Sequence, residues 1–138
     1  MHARTMSSQE NRIILKGDTI SIIFHEKDGY IEVVFKGISH SQEYRVALDV
    51  ALKLAKGYQV RNWLFDQREM NVHPADLKWA EETWVPKSYQ FLGKEQKQAF
   101  VVSPQVYEQY KPVLDSNAAP LIAVFKTPPP ARQWLCEQ

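Results

Sequence analysis

The amino-acid sequence predicts a single α/β domain with a mostly parallel, five-stranded sheet, in which one of the five strands is an antiparallel edge strand. In two early segments apolar and polar residues alternate, which is typical of strands. Further along, short apolar segments that suit buried strands alternate with longer segments whose apolar residues recur at helical spacing. The resulting order, ββαβαβαβα, favours parallel strands joined by right-handed crossovers.

Two strands joined by a tight turn begin the predicted domain. They span Thr19–His25 and Tyr30–Lys36, and the Asp28-Gly29 pair between them is typical of a hairpin turn. Arg12–Lys16 is either a further short strand or a lead-in to the first one, and the sequence leaves both open.

The first predicted helix follows Gly37 and ends at Gly57, since glycine is the usual residue just past a helix end. Either Ser39 or Ser41 is expected to cap its N-terminus. The next segment, Val60–Asp66, is short and apolar on both faces, so we expect the central strand of the sheet there.

A second predicted helix starts at His73-Pro74, because proline suits the first turn and the charge of Asp76 suits the helix dipole. Pro86 lacks an amide hydrogen and is expected to kink or split this helix. The remaining predicted elements are a strand at Gln98–Ser103, a helix from Pro104 limited by Pro112, a strand at Leu121–Phe125 and a short helix after Thr127.

A sheet in which sequential strands are neighbours would carry its helices on one face. The strands that start at Val60, Gln98 and Leu121 are apolar on both faces, so the other face needs a further helix or a second subunit. The sequence therefore predicts a homodimer.

Composition and charge are those of a soluble globular chain. Of 138 residues, 44% are apolar and 24% charged, and 17 basic against 16 acidic residues give a net charge of +1. This balance is not expected of a protein that coats nucleic acid. No apolar segment suits a signal peptide or a membrane span, and a single cysteine, Cys136, suits the cytoplasm. We expect residues 1–11 to be a flexible N-terminal segment and residues 12–138 to be the domain.

The sequence predicts neither a metal nor a cofactor. Its four histidines lack the spacing that puts two imidazoles on one helix face. Its five glycines are isolated from one another, so the pattern of a phosphate-binding loop is missing.

Several dispersed segments, together with the order of elements, carry a family resemblance. They are Gly37 before a capped helix, Trp63-Leu64-Phe65-Asp66, Trp84-Val85-Pro86 and Ala99-Phe100-Val101-Val102. From Ile14 to its end, the chain resembles the bacterial STAS-like proteins, small domains similar in fold to anti-sigma factor antagonists and sometimes grouped with SEC14-type lipid-binding domains. The resemblance implies a non-catalytic regulatory or protein-interaction module with a protein partner.

The resemblance also implies a switch and an alternative function. In anti-sigma factor antagonists a kinase phosphorylates a serine at the start of the helix after the central strand, and the added charge expels the partner. The equivalent segment here, Asp66–Pro74, contains no serine or threonine, so that switch is not carried over. The SEC14-type grouping implies, as the alternative, a small carrier or sensor with an apolar or anionic ligand next to the kinked helix.

The predicted partner or ligand surface is the segment after the central strand, because α/β sheets usually meet their ligands just past the carboxyl ends of strands. A second hypothesis makes Asp66 and His73 the acid and base of a hydrolase or isomerase. The competing interpretation gives them turn and capping roles, with Arg68 paired to the aspartate. The candidate residues are Asp66, Arg68, Asn71, His73, Asp76 and Trp79.

Two further features have two interpretations each. Trp79 either lines a pocket or an interface, or it packs against the sheet. Lys87, Lys94 and Lys97 form a basic cluster that either receives an anionic group or is a solvated face.

Overall fold

The computed structural model describes residues 11–116 and 121–137. A six-stranded sheet organises them, and its strands are neighbours in the order in which they occur in the chain. The strands are β1 (Asn11–Lys16), β2 (Ile20–His25), β3 (Tyr30–Ile38), β4 (Asn62–Asn71), β5 (Lys97–Val101) and β6 (Ile122–Phe125).

Strand directions confirm the predicted sheet, since β1, β2 and β3 pair antiparallel while β3, β4, β5 and β6 pair parallel. The sheet has one strand more than predicted, because Arg12–Lys16 pairs with β2 as part of β1. Of the predicted N-terminal segment, only Asn11 lies within the described residues, as the first residue of β1.

Five α-helices and one π-helical turn lie within the described ranges. They are α1 (Ser41–Tyr58), α2 (Pro74–Trp79), the π turn (Ala80–Trp84), α3 (Val85–Leu92), α4 (Pro104–Ser116) and α5 (Pro128–Cys136). The expectation that Pro112 limits its helix is wrong, because α4 continues to Ser116. An interior proline removes one backbone hydrogen bond, and it can bend a helix without ending it.

The N-terminus of α1 is capped by neither predicted serine. His40 is the N-cap, and its amide donates to Oε1 of Glu43 at 3.4 Å. Ser39 is buried and donates its hydroxyl to Thr19 at 3.1 Å, and the hydroxyl of Ser41 has a partner in α2. The two serines are therefore used for contacts between elements, which the capping pattern alone does not reveal.

The C-terminus of α1 lies beyond Gly57, which is a correction of the predicted end. The helix includes Gly57, and Gln59 adopts the left-handed conformation with φ of 57°. Its amide donates to the carbonyl of Lys56 at 3.3 Å, and this bond closes the last turn.

Each face of the sheet carries a buried apolar cluster. The larger cluster joins the sheet to α1 and the kinked helix, with Ile22, Val33, Leu48, Trp63, Phe65 and Trp84 among its members. The smaller cluster lies under α5 and consists of Tyr30, Leu64, Ala99, Val101, Ala131 and Leu135. The expectation that all helices share one face is therefore wrong for α5, which does not lie in a crossover between two strands of the described sheet. Since α5 covers part of the second face, the homodimer stays a prediction.

The kink in the predicted second helix is the π turn, which directly precedes the first turn of α3 with Pro86. The buried positions of this helix are spaced by multiples of four residues: Asp76, Trp84, Ser88 and Leu92. In an ordinary α-helix, with 3.6 residues per turn, side chains four residues apart point in gradually different directions around the axis. The wider π turn has more residues per turn, so it brings these side chains back toward the sheet. Spacing of apolar residues alone predicts that Leu77 and Phe91 share the inward face with Trp84, and this is wrong because both are exposed.

A buried ion pair fixes α5 on the sheet. Nη1 of Arg132 donates to Oη of Tyr30 and to Oε1 of Glu32, both at 2.9 Å, and Nη2 donates to Oε2 of Glu32 at 3.1 Å. Nε2 of His25 lies 2.7 Å from Oε1 of the same carboxylate. Burial opposes ionisation of Glu32, but the hydrogen bonds from His25 and Arg132 outweigh it and hold the pKa of Glu32 below its usual value.

The variant Arg132→Gln tests this ion pair. It leaves the Glu32 carboxylate buried with His25 as its remaining partner, so we expect the free energy of unfolding to fall by about 2 kcal/mol. Urea denaturation measures the change. As a control, Arg61→Gln removes an exposed arginine that lies 3.9 Å from Glu95, and it should cost less than about 0.5 kcal/mol. Equal losses in the two variants would contradict a structural role for Arg132.

Candidate functional site

Strand β4 extends further than the sequence predicts, and this changes the setting of Asp66. The strand continues to Asn71, so Asp66 lies inside it and not in a loop past its end. Between the register pairs Val34–Asp66 and Lys36–Glu69, β3 advances by two residues and β4 by three. This β-bulge lets the pairing resume beyond Asp66.

Asp66 and Arg68 form an ion pair at the bulge. Nε of Arg68 donates to Oδ1 at 2.9 Å, Nη2 donates to Oδ2 at 2.7 Å, and the Arg68 amide donates to Oδ1 at 3.3 Å. The hydrogen bond to Asp66 raises the pKa of Arg68. Asp66 is buried and both of its oxygens accept hydrogen bonds, so its carboxylate serves the ion pair.

Asn71 and His73 connect the ends of β3 and β4 to the start of α2. The carbonyl of Asn71 accepts a hydrogen bond from the Ser39 amide at 3.1 Å, which ties the two strand ends together. His73 is the N-cap of α2, and its Nδ1 accepts from the amide of Ala75 at 3.0 Å. The predicted helix start is confirmed.

Asp76 is fully buried and cross-links α2 to α1. The hydroxyl of Ser41 donates to Oδ2 at 2.7 Å, and Nε of Arg45 donates to Oδ1 at 3.0 Å. The sequence predicts a charge that favours the helix dipole at this position. The structure adds that this charge is buried away from water. A buried carboxylate requires hydrogen-bond donors such as Ser41 and Arg45.

The surroundings of Asp76 affect two pKa values. The hydrogen bond from Ser41, followed by that from Arg45, holds the pKa of Asp76 below its usual value near 3.8, although burial acts in the opposite direction. Burial raises the pKa of Tyr44 to about 12, and the negative charge of Asp76 contributes to the same shift. Asp76 is therefore ionised and Tyr44 neutral at pH 7.

Trp79 packs against the core and carries a cation on its ring. Its ring centre lies 6.4 Å from that of Tyr44 in an edge-on arrangement. The guanidinium carbon of Arg45 lies 5.0 Å from the ring centre of Trp79, which is within the range of a cation–π contact. These contacts favour the interpretation in which the Trp79 ring packs within the protein. The side chain of Arg45, which lies over the ring, is partly exposed to solvent.

The structure brings His73, Asp76 and Trp79 together and keeps Asp66 and Arg68 apart from them. Along β4, the step from Asp66 to Asn71 covers about 15 Å for a strand of ordinary rise. Asp66 is bound to Arg68, and Nδ1 of His73 is bound to the Ala75 amide. Asp66 and His73 therefore do not form the acid–base pair that the second hypothesis requires.

The sequence did not reveal Ser41 and Arg45 as members of this cluster. They are 35 and 31 residues away from Asp76 along the chain, and their hydrogen bonds depend on the docking of α2 against α1. One feature of the sequence does indicate that Asp76 has partners. It lies at a position of the helix that faces the protein interior, and a buried aspartate needs hydrogen-bond donors.

A small cavity lies between the π turn and the sheet. It has a volume of about 70 Å³, and its lining includes Phe35, Gln67, Trp84 and Phe100. Pockets for drug-sized ligands usually measure about 300–1,000 Å³. The ligand-carrier alternative stays a prediction, and this cavity is too small for such a ligand as it stands.

The predicted basic cluster is divided among different partners. Lys97 donates to the carbonyls of Trp134 at 3.1 Å and Glu137 at 2.8 Å, which holds the end of α5. Nζ of Lys87 lies 3.8 Å from Oδ1 of Asp49. These contacts favour the interpretation of a solvated face.

The described residues contain neither a cluster of metal ligands nor a helix that could span a membrane. Within residues 11–116 and 121–137, no three metal-ligating side chains of the His, Cys, Asp and Glu types converge. Among the helices described in those ranges, none combines the length and the apolar character that crossing a membrane requires.

The strand order and strand directions are those of a STAS-like, or SpoIIAA-like, α/β fold. An anti-sigma factor antagonist from Mycobacterium paratuberculosis has a similar structure, with a TM-score of 0.55 and 17% identity over 90% of this chain and 100% of that chain. A protein of the DUF3478 family with a SpoIIAA-like fold, from Shewanella loihica, gives a TM-score of 0.58 and 16% identity over 91% of this chain and 92% of that chain. No protein-family model matches this chain, and no curated protein matches it. The resemblance stated from the sequence is confirmed for the fold.

The variant Asp76→Asn tests the buried cross-link and its pH dependence. The pKa of Asp76 is lower in the folded than in the unfolded chain, so its charge stabilises the fold above the unfolded-state pKa, and this contribution is lost as pH falls through the folded-state pKa. We expect the variant to be less stable than the parent protein at about pH 7, and the gap to close as pH falls below about 4, the usual pKa of an aspartate. Urea denaturation across that range measures it. A gap that stays constant would contradict the assigned charge.

Proposed function

We propose that the protein is a non-catalytic, STAS-like protein-interaction module whose partner surface is the end of β4 and the start of α2. The observation that carries the proposal is an exposed patch at this edge. Ile38 and Leu77 have 69% and 42% of their surface exposed, and Asn71 and His73 are exposed between them in the chain. Protein interfaces combine an apolar core with a polar rim, and this group of residues contains both kinds of side chain.

The rigidity of this edge supports the proposal. Ile38 and Asn71 are register partners at the ends of two parallel strands, and the Ser39–Asn71 hydrogen bond holds those ends together. The Ser41–Asp76 hydrogen bond holds the start of α2 against α1. A partner that binds here meets a preformed surface and does not have to order it first.

The residues that the sequence singles out have different roles around this surface. Asn71 and His73 lie in it, Asp76 and Trp79 belong to the cluster that holds α2, and Asp66 and Arg68 form a separate ion pair at the bulge. The similar structure from Mycobacterium paratuberculosis is that of an anti-sigma factor antagonist, which supports a protein as the partner. Because residues 66–74 hold no serine or threonine, we expect no phosphoserine switch in this segment. We also expect the protein to act in the cytoplasm.

Site-specific photo-cross-linking in the cells that make the protein tests the assigned surface. A photoreactive phenylalanine analogue at position 38 or 77 should give a discrete adduct with one partner. Phe91 on α3 is the matched control, because its exposure of 39% is close to that of Leu77 and it lies outside the patch. The same adduct from position 91, or no adduct from positions 38 and 77, would contradict the proposal.

A further inference from the structure

The exposed part of Arg45 is the feature of this edge that the proposed function leaves unexplained. The side chain is 41% exposed, although its guanidinium is held by Nε–Oδ1 contact with Asp76 at 3.0 Å and by the ring of Trp79 at 5.0 Å. Arginine carries five N–H donors, and the one on Nε binds Asp76. Within the described residues, the terminal amino groups of Arg45 have no hydrogen-bond acceptor.

His73 adds a second donor beside this group. Its Nδ1 accepts a hydrogen bond from the Ala75 amide, so in the neutral imidazole the proton lies on Nε2. His73 is the N-cap of α2, three residues before Asp76, so it belongs to the same helix turn as the carboxylate that Arg45 contacts. The side chain is exposed.

Asp76 does not compete for these donors. It is fully buried, and both of its oxygens accept hydrogen bonds from Ser41 and Arg45. Glu43, the acidic residue in the first turn of α1, accepts from the His40 amide at 3.4 Å. The carboxylates of Asp76 and Glu43 therefore each have a hydrogen-bond donor within this edge.

We propose that Arg45, oriented by Asp76 and Trp79, binds a carboxylate side chain of the protein partner, with Nε2 of His73 as a second donor. This inference rests on the proposed function and names the chemistry of the partner, an acidic peptide segment. The end of a guanidinium presents two parallel N–H groups, a geometry that matches a carboxylate. An arginine ordered before binding loses little side-chain freedom when the partner arrives.

A titration with hexaglutamate, with hexaglutamine as the uncharged comparison, tests the site by NMR. The observed signals are the Nε–H of Arg45 and the indole N–H of Trp79. We expect saturable shifts with hexaglutamate alone, and Arg45→Gln should weaken binding by about tenfold, the effect of losing one charge-assisted pair. The control Arg61→Gln, which removes an equal charge elsewhere, should stay within about twofold of the parent protein.

The variant Arg45→Lys separates the arginine geometry from charge alone. It keeps the positive charge, so the fold is retained even if Arg45→Gln unfolds the protein, and we expect binding to weaken severalfold because the ammonium lacks the paired donors. Unchanged binding in Arg45→Lys, equal loss in Arg61→Gln, or no saturable shift would each overturn the inference. The cross-linking result is independent of these outcomes, so an adduct from position 77 without hexaglutamate binding would leave the proposed function intact and reject only the acidic partner.

Discussion

The placement of the candidate surface depends on a single carboxylate that has no contact with solvent. Asp76 lies in the first turn of α2, and its two oxygens accept hydrogen bonds from two different residues of α1. The cost of burying this charge is offset only when both donors are in position. Helix α2 is therefore fixed relative to α1 in angle and in register. The exposed residues on α2 consequently keep one position relative to the rest of the surface.

A similar arrangement occurs on the opposite face of the sheet. Glu32 is buried beside Arg132, and Asp66 is buried beside Arg68, so the described structure removes three carboxylates from water and gives each an arginine. In each pair the arginine keeps part of its side chain exposed. Buried acids paired with half-exposed arginines allow a nearly neutral chain to present local positive groups without an excess of basic residues.

Local patterns in the sequence predicted the elements, while contacts between distant residues decided the details. The hairpin, the central strand at Trp63 and the helix start at His73 follow from alternation, apolar content and proline placement, and the structure confirms them. The extension of β4 past Asp66 depends on a bulge, and the partners of Asp76 depend on helix docking. Neither has a local signature. Local patterns thus place His73 and Asp76 at the start of α2, but they reveal neither Arg45 as a partner of Asp76 nor the position of Asp66 inside β4.

The Arg132–Glu32 pair also bears on the order in which the chain folds. Its two members are 100 residues apart in sequence, whereas the strands of the hairpin pair over short distances. Contacts that close so large a loop lose more chain entropy and form later than local ones. Until α5 docks, Glu32 and the apolar side chains beside it remain open to water. Docking of α5 is thus the event that removes this carboxylate and the apolar side chains around it from water.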